Sequence, residues 1–223
     1  MLGHLRRAAA VAIFSLAGLV SAQAQDQGGA HEMRLDRAMV LPAASVVGMK
    51  PFDSFFAELR HMESGGNYRA VNTLNFIGAY QFGEAALIDL GYVRRDRNIY
   101  DNDFGGGFTG KDGIRSVRDF LDNKRVQDKA ARNWVKLMWH YIEAEGLQRY
   151  AWTRTGDVIL SPSGMLGATH LLGTGGLRQF IETGGSRKVV DPYGTPILRY
   201  VRTLADYEIP FAPNKPRRLA SLN

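Results

Sequence analysis

Residues 63 to 82 run E-S-G-G-N-Y-R-A-V-N-T-L-N-F-I-G-A-Y-Q-F, from Glu63 to Phe82. An apolar series precedes them: Phe52, Phe55, Phe56, Leu59 and Met62, at offsets of three, four, seven and ten from Phe52. That spacing predicts one face of an amphipathic helix over about 52–63. Glu63 follows Leu59 by four residues and Phe56 by seven, so it sits on or beside the apolar face. Gly65 and Gly66 end the helix. A carboxyl group is therefore expected in apolar surroundings at a helix C-terminus. Burial disfavours its charged form, and so do the unpaired carbonyls of the helix end. Both raise its pKa. A carboxylic acid that stays protonated near neutral pH can protonate a poor leaving group. The plainer alternative is a surface glutamate at a frayed helix end.

The whole chain sets the bounds. At 223 residues it suggests one domain with tails, or at most two small domains. A hydrophobic content of 45% is enough for a real core. There is no cysteine, which excludes disulfides and cysteine-based metal sites.

The first 24 residues carry Arg6 and Arg7, an apolar run from Ala8 to Val20, and then Ala22-Gln23-Ala24. This is the pattern of a secretory signal peptide with cleavage after Ala24. The run is short for a membrane span, so no stable membrane insertion is expected after cleavage. An uncleaved N-terminal anchor is the alternative. Loss of Arg6 and Arg7, with no acids lost, takes the net charge from +6 to about +4. A basic exported protein suits acidic membrane surfaces or anionic cell-wall polymers, and export argues against nucleic acid. Lys215, Arg217 and Arg218 are the densest basic cluster and read as a solvated tail.

In chain order, residues 25–50 show no sustained period and read as a linker or poorly ordered arm. Residues 64–82 are rich in Gly and Asn and predict a loop or small hairpin. A short helix over about 83–90 follows, and Glu84 and Asp89 on it read as surface charges. Gly105 to Lys111 fits G-x-x-x-x-G-K, but Asp112 stands where a phosphate loop needs Ser or Thr, and no buried strand precedes it. A nucleotide site is rejected in favour of a mobile loop at a cleft edge. Helices are expected over 114–122 and 125–145. The second carries a core stripe of Ala130, Ala131, Trp134, Leu137, Met138, Tyr141 and Ile142. Ser161-Pro162 starts a helix that runs to about Leu172 and stops at Gly173. Shorter helices are expected over 175–183 and 196–207. Pro210, Pro213 and Pro216 then mark a tail over 208–223. The fold class is mainly α, with a loop or hairpin region after the first helix.

Glu63-Ser64 at a helix end, with Gly78-Ala79-Tyr80-Gln81 downstream, resembles the lysozyme-like superfamily. The similarity is greatest to the soluble lytic transglycosylases, whose first motif is E-S and whose second is Gly-x-x-Gln. Their third is Ala-Tyr-Asn-Ala-Gly-x-Gly, and Thr169 to Gly175 occupies the comparable place here. His170 stands at the usual Tyr and Leu171 at the usual Asn. The chain also resembles small periplasmic autolysins that open the wall for secretion assemblies. The resemblance covers roughly residues 52–207. It implies an α+β lysozyme-like catalytic domain over 51–207 with an active-site cleft. It also implies a periplasmic location, peptidoglycan strands as substrate, a secretion-system component as a partner, and no cofactor.

The resemblance makes Glu63 the catalytic acid. Cleavage of the MurNAc–GlcNAc bond by hydrolysis usually needs a second carboxylate. Between Glu63 and Gln81 there is no Asp or Glu, and the region where phage-type lysozymes place an Asp holds Asn72 and Thr73. A single carboxylate suits the transglycosylase route, in which the sugar's own C6 hydroxyl closes onto C1 and leaves a 1,6-anhydro end. No metal is needed, and no His/Asp cluster has metal-ligand spacing. Ser64 either hydrogen-bonds near the acid or the N-acetyl group, or caps the helix. Tyr80 and Gln81 suit sugar rings and acetamides, although Tyr80 equally fits a structural role. Asn72 or Thr73 orients a sugar hydroxyl or a water, or makes a local turn. His170 lines the cleft or is a satisfied helix histidine. Two rival functions stay open: a hydrolytic muramidase, and a non-catalytic wall-binding or secretion-assembly protein.

Overall fold

The computed structural model describes residues 48–216. The expected signal peptide and its cleavage site, most of the 25–50 arm, and Arg217 and Arg218 lie outside the described residues. No helix among the described residues is long and apolar enough to cross a membrane.

The protein is mainly helical. Its elements are α1 (Phe52–Ser64), α2 (Glu84–Asp89), α3 (Val117–Asp122), α4 (Lys124–Ala144), β1 (Arg154–Thr155), β2 (Val158–Ile159), α5 (Pro162–Glu182) and α6 (Ile197–Thr203). The antiparallel pair β1–β2 is a tight hairpin that the sequence pattern did not announce. Each strand has two residues, too few for alternation to be read. The region after α1 is a loop held by isolated bridges, Val71 with Ile77 and Ile77 with Phe82.

Helix α4 supplies the centre of the core. Val126, Ala130, Ala131, Trp134, Val135, Met138, Trp139 and Ile142 are buried. Leu137 and Tyr141 from the expected stripe are only partly buried. Gln127 is also buried on this face, and it serves as a polar anchor. Its Oε1 accepts from the Ala79 N–H at 2.8 Å, and its Nε2 donates to the carbonyls of Phe120 at 2.8 Å and Tyr68 at 3.0 Å. A buried amide pairs with loop backbone that would otherwise be orphaned.

Helix α5 starts at the expected Ser161-Pro162, with the Ser161 hydroxyl accepting from the Gly164 N–H at 3.1 Å. Its backbone is non-helical at Leu172 and Gly173, where the sequence predicts the stop. The first half of α5 presents Ser163, Gly164, Gly167 and Ala168 as small buried residues. A Cβ on Gly164 would lie 2.8 Å from the Val201 carbonyl oxygen, so only a small residue lets α6 dock this closely. That approach decides where the side chains of α6 can reach.

Two expected boundaries differ. Lys50 N–H donates to the Asp206 carbonyl, and Glu208 N–H donates to the Lys50 carbonyl, both at 2.8 Å. Ile209 is buried, Phe211 packs edge-on against Phe52, and the Trp152 indole donates to the Pro213 carbonyl. The first part of the expected tail is therefore packed on the domain. The Gly105–Lys111 loop also departs from expectation, because it does not line the cavity described below. It is tied down by Arg94 N–H to Gly107 carbonyl and Thr109 N–H to Tyr92 carbonyl bonds.

Candidate active site

A cavity of about 1130 Å³ lies between the end of α1, the 71–81 loop, the middle of α5, the 190–195 loop and α6. Glu63 forms part of its wall. Helix α1 ends as expected. Gly65 adopts a left-handed φ of 62°, its N–H bonds the His61 carbonyl, and the Gly66 N–H bonds the Arg60 carbonyl. These bonds pair carbonyls that the sequence argument left open at the helix end.

Glu63 is nearly enclosed, with its side chain 11% exposed. Its Oε1 accepts a hydrogen bond from the Tyr200 hydroxyl at 2.8 Å and lies 3.4 Å from His170 Nε2. Burial pushes the carboxyl pKa up. His170 and the Tyr200 hydrogen bond pull it down, Asp191 adds to the rise, and Arg199 opposes it. Burial dominates, so the net direction is upward. The same pair pushes the Tyr200 phenol up, burial first and Glu63 next, and keeps it a donor. His170 Nε2 also lies 3.1 Å from the Tyr80 carbonyl oxygen. A carbonyl only accepts, so this contact places a proton on Nε2. Nδ1 is buried without a partner.

The other sequence-derived candidates divide. Asn72, Thr73, Gln81 and His170 line the cavity. Asn72 Oδ1 accepts from the N–H groups of Leu74 at 2.9 Å and Phe76 at 3.0 Å, which is the turn-forming role. Thr73 Oγ1 is 2.6 Å from the Tyr193 hydroxyl and joins two lips of the cavity. Gln81 adopts a φ of 49°, and its amide donates to the Gly78 carbonyl at 2.9 Å.

Tyr80 is a correction. It is fully buried, with its hydroxyl donating to Asp128 and accepting from Arg60, both at 2.7 Å, and it is not part of the cavity lining. The core took the ring because an apolar aromatic body gains more from packing than from exposure, provided its hydroxyl finds a partner. Ser64 is a second correction. Its hydroxyl donates to the Ala79 carbonyl at 2.9 Å and ties the end of α1 to the Gly78–Gln81 turn. It supports the acid without lining the cavity.

Among the cavity residues that escaped the sequence reading are Tyr200, Asp191 and Tyr193. Asp191 is the second carboxylate of the cavity, and its Oδ1 accepts from the N–H groups of Tyr193 at 3.0 Å and Thr195 at 2.6 Å. The Asp-Pro-Tyr-Gly run at 191–194 was a legible turn signal, but its distance from Glu63 in sequence hid its place. The exposed large apolar side chains among the described residues are Val71, Val190 and Tyr193, and all three line this cavity. An apolar rim around a few convergent polar groups is the usual composition of a ligand site.

No protein-family model matches the chain, and no curated protein or solved structure matches it.

Proposed function

We propose that this cavity cleaves the MurNAc–GlcNAc β-1,4 bond of peptidoglycan as a lytic transglycosylase, with Glu63 as the single acid/base. The observation that carries the reading is the buried carboxyl of Glu63, its pKa raised by burial, in the wall of an open cavity. Glu63 first gives its proton to the leaving glycosidic oxygen. The substrate's N-acetyl group stabilises the developing cation. Glu63 then accepts the proton of the C6 hydroxyl as that oxygen closes onto C1, and the acid is regenerated. Tyr200 orients the carboxyl and holds its charge during the second half of the cycle. The apolar faces of Val71, Val190 and Tyr193 suit sugar rings. On this reading the domain is lysozyme-like and acts in the periplasm after export, with wall opening for a secretion apparatus as its setting.

Asp191 favours a second reading, a hydrolytic muramidase, because two carboxylates facing one bond is the usual hydrolase arrangement. Its Oδ1 is already committed to two backbone N–H groups, which weighs toward the transglycosylase. Mass spectrometry of muropeptides released from purified sacculi decides between them. Products lighter by one water, and lost in Glu63→Gln, are expected. Reducing-end products would make the enzyme a hydrolase, and an absence of products would overturn both readings.

A further inference from the structure

A separate group of carboxylates lies outside the cavity. One oxygen from each of Glu84, Asp96, Asp101 and Asp103 lies within 4.8 Å of the other three. Among the described residues, no Lys, Arg or His forms an ion pair with any of the four. Acidic side chains often gather on a surface without a ligand, but Glu84 is not on the surface. It is 0% exposed, contrary to the surface charge expected from its sequence position. Its Oε2 accepts from the Phe104 N–H at 2.9 Å, while Oε1 is buried with no hydrogen-bond partner. A buried carboxylate with one oxygen lacking a donor, grouped with three further acids, costs stability unless a cation or a proton joins it.

We propose that Glu84, Asp96, Asp101 and Asp103 form a binding site for one divalent cation, with calcium preferred. Calcium takes oxygen ligands at about 2.3–2.6 Å, so ligands on opposite sides of one ion lie roughly 4.6–5.2 Å apart. The four oxygens fit inside one such sphere. Magnesium needs near-octahedral ligands at about 2.0–2.1 Å and keeps several waters, which suits four protein carboxylates less well. The all-oxygen donor set disfavours zinc and copper. The ion would also brace the cavity. Asn102, between two of the ligands, accepts from the Glu84 N–H at 2.8 Å and donates to the Leu74 carbonyl at 2.9 Å. Leu74 lines the cavity, so the ion would clamp the acidic loop, α2 and one cavity wall together.

The test uses the purified full-length chain, stripped with EGTA and desalted, then titrated with calcium chloride alone. Calorimetry should give one site per chain. Tm should rise by roughly 5 °C or more at a calcium concentration about 100-fold above Kd. Magnesium chloride should give a smaller shift. Asp101 and Asp103 are exposed, so the double variant Asp101→Asn/Asp103→Asn should fold and lose both the heat and the shift. No heat and an unchanged Tm in the wild type would overturn the site, as would an undiminished calcium response in the double variant. An equal response to magnesium would overturn the calcium preference. Neither readout involves glycan cleavage, so the result is independent of the proposed function.

Discussion

The Tyr200 hydroxyl donates a 2.8 Å hydrogen bond to Glu63 Oε1 from a position 137 residues further along the chain. The bond exists because small residues on α5 let α6 approach closely. It supports the charged form of a carboxyl whose pKa burial raises. An acid/base must hold a proton in one half of its cycle and release it in the other. Tyr200→Phe keeps the ring and removes the donor. The Glu63 pKa should rise further, the pH–rate profile should move to higher pH, and kcat should fall by about 10-fold, consistent with losing a hydrogen bond to a charged group. An unchanged profile would remove Tyr200 from the mechanism.

Glu63→Gln should abolish turnover, with a loss of at least ~100-fold, the usual scale for a general acid. It should also stabilise the protein at neutral pH. A carboxyl whose folded pKa is raised contributes stability below its ordinary value of 4.5. That contribution is lost as the pH climbs toward the folded value, because the unfolded chain ionises first. The glutamine variant avoids this loss. Urea denaturation at several pH values should show the two proteins diverging as the pH rises above about 4.5, the variant being the more stable. Parallel curves would mean that folding does not raise the Glu63 pKa.

Asp191→Asn separates the two chemistries. The asparagine keeps an oxygen for the Tyr193 and Thr195 N–H groups, so the turn should survive. If Glu63 works alone, anhydro products should persist at a rate within a few-fold of wild type. If Asp191 activates water, reducing-end products from the wild type should vanish in the variant.

Gln127→Leu should cost about 2–4 kcal/mol of stability, because the Ala79 N–H and the carbonyls of Phe120 and Tyr68 lose their partner. Chemical denaturation measures it. Activity should fall as well, since Ala79 carries the carbonyl that anchors Ser64 at the end of α1. A loss below about 0.5 kcal/mol would show that water replaces the amide.

The helical plan was legible because its signals are local. The 52–62 apolar spacing, the Gly65-Gly66 stop and the Ser161-Pro162 start each act within one or two turns of chain, and each appears where its residues lie. Tyr80 was ambiguous for a physical reason. An amphipathic ring serves a cleft or a core equally well, and Arg60 and Asp128 decided for the core. Glu84 looked like a surface charge because an acid in a short helix usually is one. Its burial depends on the loop that carries Asp101 to Phe104 folding over it.

The sequence by itself determined the mainly helical class, the ends of α1, the start of α5 and its break at Gly173, and Glu63 as an acid set beside an apolar helix face. The tertiary structure alone decided which groups surround that acid. Tyr200 and His170 reach Glu63 from two other helices, Asp191 joins the same cavity from a loop, and Glu84 meets its aspartates from a separate element. A pKa, a hydrogen-bond partner and a cation site depend on distances through space. Those distances are set by how closely α5 and α6 pack and by how the loops close over them, and neither is written in any local stretch of sequence.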